Sequence, residues 1–250
     1  MAEAGIVLAS QDSILDEAKL LVEQAFGETP LKAAFDSIMA ETDSIAYQVY
    51  LEHERTYAGQ VVSKVVLDSI DNVDPVDWSR KLEGLAPVLD SFFMSLAQGR
   101  KSRGGAAFEY FLRYLFKKLE YPFSEQPVLV DSKPDFILPS IEEYHRNPLN
   151  CVVFTAKRTL RERWRQITSE GSRGIGQYLA TIDAKISPKQ LELMRDHKIY
   201  LIVPEALRLK HYRTFDNVIS FARFFEDHLD AKQRIWNRDG FAKRPAQPHD

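Results

Sequence analysis

One cysteine in 250 residues leaves Cys151 nothing to pair with, so no disulfide framework holds this chain together. The six histidines lie far apart in sequence, which excludes a recognisable zinc motif. No apolar run approaches the ~20 residues that span a bilayer, and the opening MAEAGIVLASQDS lacks the basic start of a secretory signal. The expectation is a protein of the reducing cytoplasm that neither crosses nor enters a membrane. Positive charge is also scarce: 33 Lys and Arg stand against 36 Asp and Glu, a net of -3, without the basic excess by which nucleic acids are usually met. What is present is apolar: 44% hydrophobic and 11% aromatic residues suffice for one sizeable core. One compact domain with a smaller helical part is expected.

The average conceals an uneven distribution. Residues 1–97 hold 6 Lys and Arg against 17 Asp and Glu, a net of -11. Residues 98–173 hold 14 against 9, a net of +5, and residues 174–250 hold 13 against 10, a net of +3. Arg158, Arg161, Arg163 and Arg165 crowd the middle segment, where positive charge is focused.

Texture divides the chain in the same place. Ile14, Leu15, Ala18, Leu21, Val22 and Ala25 repeat with a helical period, and further helices are expected at about 31–41, 44–70 and 85–97. QGRKSRGG then reads as a polar connection into the core-facing helix AAFEYFLRYLFKKLEY. From Pro127 short apolar runs predict strands at VLV, DFILP, CVVFTA and YLIVP. Between the last two lie a charged helix at about 160–169, a Gly-rich loop and a helix from Ser187-Pro188. The predicted fold is α/β: a mixed central sheet flanked by helices at 98–230, a helical region at 1–97 and a polar tail at 231–250.

Asp135 opens one predicted strand and Lys157 closes the next, so an antiparallel pair would make them neighbours. A carboxylate and an ammonium at adjacent strand ends suit phosphodiester cleavage. The carboxylate would bind a hard cation such as Mg²⁺, and the lysine would orient a water for attack. A second acid is needed. Two residues before the lysine stands Thr155, so Glu170, thirteen residues after it, is the candidate. Glu109, an acid among Ala107, Phe108, Phe111 and Leu112, is expected to face inward near the metal. Each residue alone also has a plain structural reading, as a turn cap, a strand end or a solvated side chain. Their order carries the argument.

That order, Glu109, Pro134-Asp135, Thr155-Ala156-Lys157 and Glu170, resembles the type II restriction endonucleases of the PD-(D/E)XK superfamily with a relocated glutamate. Arg161-Glu162-Arg163 resembles the recognition motif of the EcoRII, SsoII and PspGI group, readers of CCGG, CCNGG or CCWGG. The resemblance covers about residues 98–175. It implies a bacterial or archaeal Mg²⁺-dependent nuclease that cuts double-stranded DNA to 5′-phosphate ends, functionally paired with a cognate DNA methyltransferase. It also implies a glutamine that probes the minor groove, for which Gln98 is placed, and an aromatic ring against a flipped base, for which Tyr47 is favoured. The physics of the triplet stands on its own: a guanidinium pairs with guanine N7 and O6, and a carboxylate accepts from cytosine N4. A homodimer would apply it twice, reading CC on each strand. A repair or mobile-element nuclease on the same core, and a DNA-binding module on an inactive one, stay open at this point.

Overall fold

The computed structural model describes residues 5–70, 77–129, 133–160 and 176–241. Three long helices come first: α1 (Gln11–Phe26), α2 (Phe35–Ile70) and α3 (Trp78–Lys118). The sequence suggested breaks near 42 and at QGRKSRGG, yet α2 and α3 run through both. Polar residues that read as punctuation are carried on helix faces; Thr42 is buried and returns its hydroxyl to the Met39 carbonyl. Even Pro87 lies inside α3.

The described chain divides into two compact units. One comprises residues up to Ala25 with Asp43–Ala107; the other comprises Phe26–Thr42 with the described residues from Phe108 onward. In the helical unit, Ile14, Leu15, Ala18, Val22, Val49, Val61 and Leu96 are buried. Its one buried acid, Glu54, accepts hydrogen bonds from Arg100 at 2.8 Å and from the Tyr50 hydroxyl at 2.6 Å, and Arg103 donates to that hydroxyl in turn. Burial opposes ionisation of Glu54, but the Arg100 and Tyr50 hydrogen bonds outweigh it and hold its pKa below the ordinary carboxylate value.

The second unit contains a six-stranded sheet whose spatial order follows chain order: β1 (Ser124–Glu125), β2 (Phe136–Leu138), β3 (Val152–Ala156), β4 (Gln177–Ala180), β5 (Ile199–Ile202) and β6 (Val218–Ile219). β1–β2 and β2–β3 are antiparallel, whereas β3 to β6 are parallel. Between strands lie α4 (Ile141–Arg146) and α5 (Pro188–Asp196), the latter opened by a Ser187/Gln190 capping box as its Ser-Pro start suggests. The expected strand at VLV does not form at Val128 and Leu129. Instead β1 arises from Ser124 and Glu125, and the short β4 and β6 join the sheet without having been anticipated.

Residues 26–42, expected with the helical region, belong to the sheet unit because Phe35, Ile38 and Met39 are buried there. Phe35 meets Phe116, Phe221 and Phe225 at ring distances of 6.2, 5.0 and 4.8 Å, and Phe116 also meets Phe136 and Phe154 on the sheet. Asp36 completes the anchor by accepting the backbone N–H groups of Glu205, Phe221 and Ala222. The first part of the segment expected as a polar tail also packs. It forms α6 (Asp230–Arg238), which buries Trp236, whose indole N–H donates to the Asn150 carbonyl at 2.9 Å. Among the described residues, no helix is long and apolar enough to cross a membrane.

Candidate active site

Antiparallel pairing of β2 with β3 places Phe136 opposite Phe154, so the residue before β2 and the residue after β3 share one end of the sheet. Those residues are Asp135 and Lys157, and they meet: Lys157 Nζ lies 3.0 Å from Asp135 Oδ2. The same oxygen accepts the Ala156 backbone N–H at 2.7 Å, which fixes the carboxylate against the strand end. Lys157 is anchored in turn, its own N–H donating to the Ala180 carbonyl of β4. Asp135 is 7% exposed, so its carboxylate depends on these donors.

Glu109 stands near this pair by a different route. It is half-buried on α3 rather than turned fully inward, because it lies at the border of the stripe formed by Phe108, Phe111 and Leu112. Its Oε1 accepts from the Gln126 side-chain amide at 3.1 Å, while the Gln126 backbone N–H donates to the Asp135 carbonyl at 2.8 Å. Gln126 therefore links the two acids. Its φ of 43° lies in the left-handed region that favours glycine, so a glutamine there stands against a backbone preference.

A second residue that sequence reasoning missed is Asp183. Its Oδ2 accepts the Leu160 N–H at 2.9 Å and its Oδ1 accepts the Lys185 N–H at 2.9 Å. Leu160 is buried, and Thr181 bonds the Arg158 carbonyl, so the chain leaving β3 is held up to the threshold of Arg161. A motif search has no signal for such a residue; only the turn-like TIDAK hints at a side chain bonded to nearby backbone.

Of the other expected residues, Glu170, Arg161, Glu162 and Arg163 lie outside the described residues. Gln98 and Tyr47 are both exposed in the helical unit, and Gln98 lies within α3 rather than in a loop. Among the described residues, no three His, Cys, Asp or Glu side chains gather as a metal cluster. The donor chemistry still fits a hard divalent cation: Asp135 offers carboxylate oxygens at a strand end, and Glu109 is tied to its backbone through one residue.

A family model described as EcoRII C terminal matches residues 80–225. The type II restriction enzyme SsoII of Shigella sonnei is 24% identical over 197 residues, covering 74% of this chain and 64% of that protein. The type II restriction enzyme EcoRII of Escherichia coli is 30% identical over 149 residues, covering 57% of this chain and 36% of that protein. The chain thus spans less than two thirds of the length of either. Among solved structures, metal-depleted Ecl18kI in complex with uncleaved, modified DNA superposes with a TM-score of 0.73 at 20% identity, over 96% of this chain and 86% of that one. That likeness gives the fold, a restriction-endonuclease-like α/β core.

Proposed function

This chain belongs to the EcoRII C-terminal family, and on that premise we propose that it is a type II restriction endonuclease. It acts as a homodimer on double-stranded DNA, with Mg²⁺, at a palindrome containing CC/GG. The observation that carries this reading is the contact between Asp135 and Lys157 at the shared end of β2 and β3. Two relatives named as type II restriction enzymes and a structural neighbour in complex with DNA support the choice of substrate.

In this reading Asp135 and Glu170 hold the cation, with Glu109 supporting them. When bound, Mg²⁺ supplies Lewis acidity at the scissile phosphate. Lys157, held by Asp135 and by the Ala180 carbonyl, orients the attacking water. Gln126 sets Glu109 relative to Asp135. Asp183 fixes the point from which Arg161-Glu162-Arg163 departs to read the CC/GG half-site, while Gln98 and Tyr47 meet DNA from the helical unit. A cognate methyltransferase that protects the same site is the functional partner, and the bacterial cytoplasm is the setting.

The experiment is a digest of a sequenced plasmid in Mg²⁺ and in EDTA, with the fragment ends read. Discrete fragments ending at one CC/GG palindrome, absent in EDTA, are the expected result. Mg²⁺-dependent degradation without a common site would make this a repair-type nuclease. Intact plasmid under both conditions, with retained binding, would make it a DNA-binding module.

A further inference from the structure

Where the four parallel strands begin, at the end of the sheet opposite Asp135 and Lys157, lies a cavity of about 500 Å³. Each strand contributes the residue just before its start: Cys151, Gly176, Lys198 and Asn217. The volume falls within the range of small-molecule sites, roughly 300–1,000 Å³.

Its charge is one-sided. Among the described residues, Arg195, Lys198 and Lys232 line it against a single carboxylate, Asp216. Lys232 is half-buried and donates to the Leu149 carbonyl, with no carboxylate in ion-pair reach among the described residues. Burial holds its pKa below the ordinary lysine value, the signature of a cation short of a counter-charge. The carboxylate facing Arg195 is that of Asp196, at 3.9 Å. Lys198 has a φ of 58°, a left-handed conformation at the end of α5 where glycine is the favoured residue. The lysine there places a positive charge on the cavity wall at a conformational cost.

The rest of the lining is aromatic and polar. Tyr178 and Tyr200 stack at 5.5 Å and 15°, and the His228 ring lies 4.8 Å from Tyr200. Burial keeps His228 below its ordinary pKa. Asn217 donates through Nδ2 to the Leu191 and Ile199 carbonyls, which fixes its amide, while its buried Oδ1 has no hydrogen-bond partner.

We propose that this cavity binds a nucleoside 5′-monophosphate group, its phosphate among Arg195, Lys198 and Lys232 and its ring system beside Tyr200. Among the described lining residues cations outnumber carboxylates, the one-sided charge that a phosphomonoester dianion requires. The group is either a free mononucleotide or the 5′-phosphorylated end of a DNA strand; the chemistry is shared. The inference is independent of the nuclease reading.

The test is calorimetric titration of the full chain, in EDTA, with dAMP, inorganic phosphate, and a short single strand with or without a 5′-phosphate. dAMP should bind more tightly than inorganic phosphate. Lys232→Met should weaken dAMP about tenfold or more, the loss of a charge-assisted hydrogen bond. Lys198→Gly should weaken it comparably while the melting temperature holds or rises, because glycine suits that backbone. Competition by the phosphorylated strand alone assigns the site to DNA ends; failure of both strands to compete assigns it to free nucleotides. Absence of dAMP binding, or wild-type affinity in both variants, overturns the proposal.

Discussion

Asp135 is held by two kinds of donor, a backbone N–H and a lysine ammonium, and the two separate its roles. Asp135→Asn keeps the shape but weakens its grip on a cation, so single-turnover cleavage in Mg²⁺ should fall below detection while specific binding in Ca²⁺ persists. Cleavage at the wild-type rate would remove Asp135 from the metal. Gln126→Gly retains the left-handed backbone and its N–H to Asp135 but deletes the amide that holds Glu109. It should raise the Mg²⁺ concentration needed for half-maximal cleavage without lowering the melting temperature; an unchanged metal titration would make the Glu109 contact structural only. Asp183→Ala leaves the buried-side Leu160 N–H without its acceptor, a cost of about 1–3 kcal/mol. Gel shifts in Ca²⁺ should show it losing preference for CC/GG more than general affinity. The Asp135–Lys157 contact was legible in sequence because two apolar runs, one opened by a carboxylate and the next closed by a lysine, specify strand ends. Gln126 and Asp183 were not, since both act through backbone groups brought together only by the finished turn.

At the scale of elements, the long helices were the least legible part. Local punctuation such as Pro87 and the QGRKSRGG stretch predicts a break, but side-chain packing outweighs propensity over a helix of 41 residues. The cost remains measurable. A Cβ added at Gly59 or Gly84 meets no atom within 4 Å, so Gly59→Ala and Gly84→Ala should each stabilise by about 0.5–1 kcal/mol in urea unfolding. No gain at either site would mean that these helices are not formed in solution as described. Within the helical unit, α2 and α3 share the Glu54–Arg100 pair, whose carboxylate is buried and whose guanidinium is partly exposed. Because the folded pKa of Glu54 is depressed, its contribution is present above the ordinary carboxylate value and is lost as pH falls through the folded one. Arg100→Met should remove that acid-side dependence and cost about 3 kcal/mol, since a buried carboxylate loses its partner. The short β4 and β6 escaped notice for another reason: runs of four and two buried residues are too brief to carry a period.

Across the whole molecule, charge is sorted along the chain rather than balanced, with net -11 over residues 1–97 and +5 over 98–173. DNA affinity should therefore fall steeply with added salt despite the overall charge of -3, and log Kd against log salt should be linear. A flat dependence would argue against phosphate contacts by the basic segment. The sheet has one further consequence. Its strands stand side by side in the order in which they are written, so a ribosome releasing this chain delivers each new strand to a neighbour already made. Contacts that reach far back are made late: Glu205, Phe221 and Ala222 to Asp36, Asp230 to Lys32 and Tyr121, and Trp236 to Asn150. Assembly is thus vectorial from strand to strand, and α6, made after all six strands, is a clasp that locks earlier-made parts of the sheet unit into place.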